Sequence, residues 1–303
     1  MVVVFKHTPV LLDEVVTLID PKEGETVLDV TLGLGGHAET LLKKIGARGV
    51  LIGLDADAKN LAQAQVRLSV LPGRKEFRHA NFRDLAQLDL PKVDILFADL
   101  GLSSPHVDEP GRGFTFREDA PLDLRFDRSR GLSAVLWLQR ISLDDLTRAL
   151  REFGELKDAR RLARKLKEGE MNTTFSIVRA VEAVFGWKAP SVMAQVFQAL
   201  RIAVNDELGA LDALLSSGPT LLKSGGRMGV ISYHSLEDRR VKQAFRVLTT
   251  APKHADTGQD LHPADYSPLT RKAVVPSDEE QHRNPRSRSA KLRVIMRRTS
   301  ALS

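Results

Sequence analysis

Three aspartates each close a run of strand-forming residues: Asp29 after Thr26-Val27-Leu28, Asp55 after Val50-Leu51-Ile52-Gly53-Leu54, and Asp99 after Val93-Asp94-Ile95-Leu96-Phe97-Ala98. The first runs into Thr31-Leu32-Gly33-Leu34-Gly35-Gly36-His37, ahead of Ala38, Leu41, Leu42 and Ile45 at helical spacing. A strand, a glycine turn and a helix N-terminus let backbone N–H groups approach a ligand at the positive end of a helix dipole. A carboxylate at the end of the next strand, Asp55, suits both hydroxyls of a ribose. Gly33-x-Gly35-x-x-Ala38 followed by Asp55 also fits a dinucleotide fingerprint, so on these residues alone a nicotinamide dinucleotide stays open. Asp29 tilts the choice to S-adenosylmethionine, because a carboxylate ahead of the glycines favours the cationic amino-acid end of that methyl donor. Asp99 begins Asp99-Leu100-Gly101-Leu102-Ser103-Ser104-Pro105, where a carboxylate accepting an amine N–H would raise electron density on its nitrogen; the plainer alternative is a cap on the N–H groups of Gly101 to Ser103.

The elements that position these residues alternate. A helix is expected from Thr8 as N-cap and Pro9 at N1 to Asp20-Pro21, then strands ending at Asp29 and Asp55, a third over Phe77-Arg78-His79 and a fourth ending at Asp99. Strands alternating with helical patterns predict a parallel sheet in a doubly wound, Rossmann-like α/β fold. From Ser133 to Phe185 only helical spacing occurs, with Ser142-x-x-Asp145 resembling a capping box. A long helix is predicted from Pro190 to Leu215, broken at Ser217-Gly218-Pro219. Strands return at Arg227–Ser232 and Leu292–Met296, and 250–290 is expected to be loop. The expected division is 1–106 with 204–303 as the sheet domain and 107–203 as an all-helical insertion. Lys223-Ser-Gly-Gly-Arg before the fifth strand is similar to the lead-in found in class I methyltransferases.

Composition narrows the class. The chain has 303 residues, 42% hydrophobic and 28% charged, and no cysteine, which excludes disulfides, thiol catalysis and cysteine-ligated metal. His7, His37, His106 and His234 lack metal-type spacing, so no metal is proposed. No apolar run approaches a membrane span and the start is too short for a secretory signal, so a cytoplasmic enzyme with no membrane partner is expected. Lys and Arg number 45 against 39 acids, a net +6. Arg283, Arg286, Arg288, Lys291, Arg293, Arg297 and Arg298 cluster at the end without an acid, either as phosphate ligands or as a solvated face.

If a base is flipped into the site, Phe114, Phe116, Trp137 or Tyr233 could stack on it, although Trp137 at helical spacing also suits a core. Phe114 and Phe116 adjoin Gly111-Arg112-Gly113. His234, after the fifth strand, either meets substrate or belongs to a helix start capped by Ser235 or Ser232.

Taken together, His7-Thr-Pro-Val-Leu-Leu-Asp-Glu-Val, Thr31–His37, Asp99–Pro105, Arg112–Phe116, Pro121–Arg125, Phe197–Asn205, Ser232–Arg239 and Asn284–Arg288 resemble the bacterial small-subunit ribosomal RNA cytosine-N4 methyltransferase family, from residue 7 to about 298. The resemblance implies S-adenosylmethionine as methyl donor. It implies N4 of a cytidine in the decoding region of 16S rRNA, position 1402 in rRNA numbering, as acceptor. It places cofactor contacts on Gly35, Gly36, His37, Asp55, Phe82 and Asp99, with His106 where glutamine is common, and gives the helical insertion a part in the RNA site. Asp119-Ala120 departs from the family's aspartyl-glycyl pair. Arg112, Phe114, Trp137, His234, Arg286 and Arg288 are the expected substrate contacts, on rRNA free or within the 30S subunit, and a homodimer is compatible with the sequence. The competing readings are an NAD-dependent oxidoreductase and a non-catalytic RNA-binding module.

Overall fold

The computed structural model describes residues 9–103, 106, 109 and 111–299. Thr8, His7, Ser104 and Pro105, used in the motifs above, lie outside the described residues. The chain divides into two compact units, one of residues 1–101 and 209–303, the other of residues 102–208.

The first unit is built on seven strands: β1 (Thr26–Asp29), β2 (Val50–Asp55), β3 (Arg74–His79), β4 (Val93–Asp99), β5 (Leu222–Ser232), β6 (Tyr266–Pro268) and β7 (Lys291–Arg297). Their order is β3-β2-β1-β4-β5-β7-β6, parallel except where β7 runs against β5 and β6. The apolar runs of the central strands are buried on both faces, as parallel strands flanked by helices require. On one face Val27, Leu51, Ile95 and Phe97 pack with α1 (Leu12–Ile19), α2 (Gly36–Ile45) and α3 (Ala58–Leu68). On the other, Leu28, Ile52, Leu96 and Met228 pack with Leu211, Leu214 and Leu215 and with Val241 and Phe245 of α10 (Ser235–Leu248). A short α11 (Asp278–Arg283) precedes β7. Strand order reverses between β1 and β4, and a doubly wound sheet opens its ligand crevice at the carboxyl ends of those two strands. Asp29 and Asp99 are their last residues.

The second unit is helical: α4 (Ala134–Arg140), α5 (Leu143–Gly154), α6 (Ala159–Glu168), α7 (Thr174–Phe185) and α8 (Ala189–Asn205). Ser133, Ser142 and Thr173 cap α4, α5 and α7 by accepting the N–H groups of Leu136, Asp145 and Ser176.

Four expectations are corrected. The first helix begins at Leu12, after a left-handed Leu11, and not at Pro9. The predicted helix from 190 to 215 is two, because Asp206 adopts φ 47° and ends α8 before α9 (Glu207–Ser217). Asn205 holds that corner: its side chain donates to the Leu124 and Arg201 carbonyls and accepts the Phe126 N–H, while Arg201 forks onto Glu207 at 2.8 and 3.0 Å. The stretch 250–290 contains β6 and α11. Three of the seven cations of the basic end are neither phosphate ligands nor a solvated face but are engaged within strand β7: Lys291 and Arg293 pair with Asp238, and Arg297 donates to the Leu222 carbonyl.

Candidate active site

Asp29, Asp55 and Asp99 lie at the same edge of the sheet, where three anions raise one another's energy. Asp29 is 1% exposed; one of its carboxylate oxygens accepts the Thr31 N–H at 3.1 Å. Burial above all, with the charges of Asp99 and Asp55 adding to it, pushes its pKa up to about 7. Asp55 anchors the glycine turn. One oxygen accepts the Gly33 N–H at 2.7 Å and the other the Asp57 N–H at 2.7 Å.

Asp99 is held from several sides. Its N–H donates to Thr31 Oγ1 at 2.6 Å, which ties the ends of β1 and β4 together. Its Oδ1 accepts the Gly101 N–H at 3.3 Å, so the loop-capping alternative is partly realised. Its Oδ2 lies 3.6 Å from His37 Nδ1, and the Tyr233 hydroxyl donates to the carboxylate. Burial first, and then the negative charge of Asp99, raises the Tyr233 phenol well above its ordinary value, so it remains a donor. The Tyr233 ring lies so close to the backbone of Gly101 that a Cβ there would sit 2.7 Å from it. Tyr233 follows β5, whose Ile231 stands beside Asp99 in register.

The turn after β1 ends at Gly35, which caps α2 at φ 77°, a left-handed conformation suited to glycine. The next residue, Gly36, is bare for another reason: a Cβ would meet Pro9 at 2.8 Å. The first-turn N–H groups of α2, among them those of Gly36 and His37, have no carbonyl partner within the helix. The His37 ring is largely occupied. Its Nε2 lies 2.9 Å from the Val10 carbonyl, an acceptor only, so Nε2 is assigned the proton, and the ring leans on Phe97 at 4.8 Å. Phe82 opens a 3-10 turn after β3, behind an Asn81 cap, and is half-buried against the second core face.

The expected substrate residues are more dispersed. In the helical unit, Arg112 is 1% exposed and donates to the carbonyls of Arg125 and Phe126 at 3.2 Å, with Glu109 at 3.7 Å. The guanidinium is thus buried in its own loop, where it clamps two carbonyls. Phe114 stacks on Phe126 at 5.6 Å, and His106 leans on both rings with Nδ1 3.0 Å from Ser103 Oγ. Phe116 is 36% exposed and leans on Phe197. Trp137 packs against the helical core. A cavity of about 430 Å³ in this unit is lined by Glu109, Phe114, Arg117 and Asp119, among others. In the sheet unit His234 proves to be the N-cap of α10, in place of Ser235 or Ser232. Its Nδ1 accepts the Glu237 N–H, and Glu237 answers by accepting the N–H groups of Tyr233 and His234. Arg286 and Arg288 are exposed.

Sequence reasoning did not pair Tyr233 with Asp99 or Thr31 with the Asp99 N–H. Both contacts follow once β1, β4 and β5 are known to be neighbours.

The chain matches the MraW methylase family over residues 4–298. It is 42% identical over 305 residues to a ribosomal RNA small subunit methyltransferase H of Sorangium cellulosum (strain So ce56), covering 96% of this chain and 91% of that one. It is 43% identical over 300 residues to the protein of that name from Myxococcus xanthus (strain DK1622), covering 96% and 97%. The corresponding protein of Anaeromyxobacter sp. (strain K) is 44% identical over 307 residues, again covering 96% and 97%. Likeness on that scale over nearly the whole length, on a doubly wound sheet whose first glycine turn and strand-end aspartates converge, makes the chain a member of the MraW methylase family.

Proposed function

We propose that the protein transfers the methyl group of S-adenosylmethionine to N4 of a cytidine in the decoding region of 16S rRNA. The observation that carries this reading is the convergence of three carboxylates at the switch point of the sheet, one of them buried and raised to about 7. Such a site favours a ligand that brings positive charge. A nicotinamide dinucleotide would bring an anionic pyrophosphate to the same place, which counts against the oxidoreductase alternative. The relatives' shared name supplies the acceptor class, small-subunit ribosomal RNA.

When bound, S-adenosylmethionine supplies an electrophilic methyl group on a sulfonium. Asp55, at the end of β2, is the acceptor for the ribose hydroxyls. Asp29 offsets the charge of the amino-acid end, and the first-turn N–H groups at Gly36 and His37 serve as donors. The cytosine amine is a poor nucleophile because its lone pair is delocalised into the ring. Asp99, accepting an amine N–H, raises density on nitrogen, and Tyr233 keeps the carboxylate aimed. Solvent takes the last proton. Phe82 is a further cofactor contact, as the family resemblance implies for His106, and the cavity beside Phe114 belongs to the substrate side, with the helical unit as RNA-binding domain. The assembled 30S subunit in the cytoplasm is the proposed setting.

The test is incubation of 30S subunits and of naked rRNA with tritiated methyl donor, followed by digestion and identification of the labelled nucleoside. N4-methylcytidine at a single decoding-region position is expected. Label on another base, or RNA binding without any label transfer, would overturn the reading in favour of a different acceptor or a non-catalytic module.

A further inference from the structure

The amphipathic helix α6 divides its residues sharply. Ala159, Leu162, Ala163 and Leu166 are buried in the helical core, while Arg160, Arg161, Arg164, Lys165 and Lys167 are exposed, with Glu168 the only acid in the helix. Three of these cations have partners. Arg160 reaches Asp144 at 2.9 Å, Lys165 lies 3.4 Å from Glu168, and Lys167 donates to the carbonyls of Leu138, Gln139 and Ile141. Arg161 and Arg164 have none among the described residues.

This arrangement works against the helix itself. Arg160 and Arg161 stand in a first turn that holds no acid, facing the positive end of the dipole. Arg160 with Arg164, and Arg161 with Arg164 and Lys165, are like-charge neighbours at i,i+3 and i,i+4. Lys157, two residues ahead of the helix, is exposed as well. A polyanion laid along the face would offset these repulsions with attractions of its own.

We infer that the exposed face of α6 docks the sugar–phosphate backbone of the substrate rRNA, with Arg161 and Arg164 as its phosphate ligands. The inference rests on the rRNA reading above and adds to it a surface on the helical unit that contains none of the cofactor residues. An anionic membrane is the poorer partner, because a membrane-surface helix inserts its apolar face and that of α6 is already spent on the core.

The test compares the wild-type protein with Arg161→Gln/Arg164→Gln and with the charge-matched control Lys44→Gln/Arg48→Gln, which alters exposed positions in the last turn of α2 and just beyond it. Glutamine keeps helix propensity, and neither arginine has an internal partner to lose. The α6 variant is expected to raise KM for the RNA substrate about tenfold and to keep kcat within about twofold. Its slope of log Kd against log salt for a 16S rRNA fragment should be shallower by about 1.5. The control should match wild type on all three. Wild-type KM and slope in the α6 variant would overturn the inference and leave the rRNA reading standing, as would loss of binding to anionic phospholipid vesicles with RNA affinity intact. Failure of wild type to methylate rRNA would remove the reading and the inference with it.

Discussion

Asp99 combines two demands that separate on mutation. Its carboxylate is fixed by the Gly101 N–H and the Tyr233 hydroxyl, yet its task is to accept a proton-bearing amine. Asp99→Asn should lower kcat by about 10² to 10⁴ and leave the S-adenosylmethionine Kd within a few-fold. Tyr233→Phe removes only the aiming bond and should cost kcat about tenfold. Single-turnover methyl transfer with separately measured Kd values checks both, and an equal loss of affinity would make Asp99 a cofactor ligand only. Asp29 makes a thermodynamic prediction. Its folded pKa of about 7 stands above the ordinary 3.8, so between those values the folded chain keeps a proton that the unfolded chain has released. Its contribution therefore falls as pH rises through that window and is flat above it. Relative to Asp29→Asn, the ligand-free wild type should lose at most about 4 kcal/mol between pH 4 and pH 8, measurable by urea unfolding at each pH. At this scale the glycine turn and the three acids were legible because strand-end position announces itself in sequence. The burial of Arg112 was not, since a lone arginine between glycines reads as exposed and charged groups are seldom fully buried unless paired.

Helices and strands show where periodicity stops being informative. The spacing of Val192, Val196, Leu200, Val204, Leu208, Leu211 and Leu215 runs through the break at Asp206, because α8 buries its stripe in the helical core and the stripe continues onto the sheet core from Leu211. Only Asp206 in a left-handed conformation and the hydrogen bonds of Asn205 reveal the corner. Strand β6, three residues long, is too short for an alternating pattern, whereas the parallel strands β1, β2 and β4 could be read from their apolar runs. The loop from Gly111 to Gly131 is fixed internally. Arg112 holds two carbonyls and Asp123 forks onto Arg125 at 2.6 and 3.0 Å. Although burial opposes it, the Arg125 guanidinium keeps the Asp123 carboxyl below its ordinary range. Arg112→Met should destabilise the protein by about 1 to 3 kcal/mol by leaving buried carbonyls without donors. It should leave the salt slope of RNA binding unchanged. Chemical denaturation and a salt titration of RNA affinity measure the two effects, and a shallower slope at unchanged stability would return Arg112 to the RNA interface.

Across the whole molecule, a net charge of +6 says less than where each cation sits. No helix among the described residues is long and apolar enough to cross a membrane. In the basic end, Lys291 and Arg293 are committed to Asp238 while Arg286 and Arg288 face solvent. Arg286→Gln/Arg288→Gln should therefore weaken RNA binding and flatten its salt dependence by about one to two in slope. Arg293→Gln should act on stability instead, by about 1 kcal/mol for a half-buried pair. The reverse pattern would make the exposed arginines structural.

The most direct test of the carboxylate crevice is calorimetric titration with S-adenosylmethionine at pH 6.5 in two buffers of different ionisation enthalpy. A cation bound beside Asp29 lowers its pKa from about 7, so binding should release a substantial fraction of one proton and tighten as pH rises to about 7. Asp29→Asn should abolish that release. No binding of S-adenosylmethionine alongside binding of NADH, or proton-neutral binding that Asp29→Asn does not alter, would contradict the account.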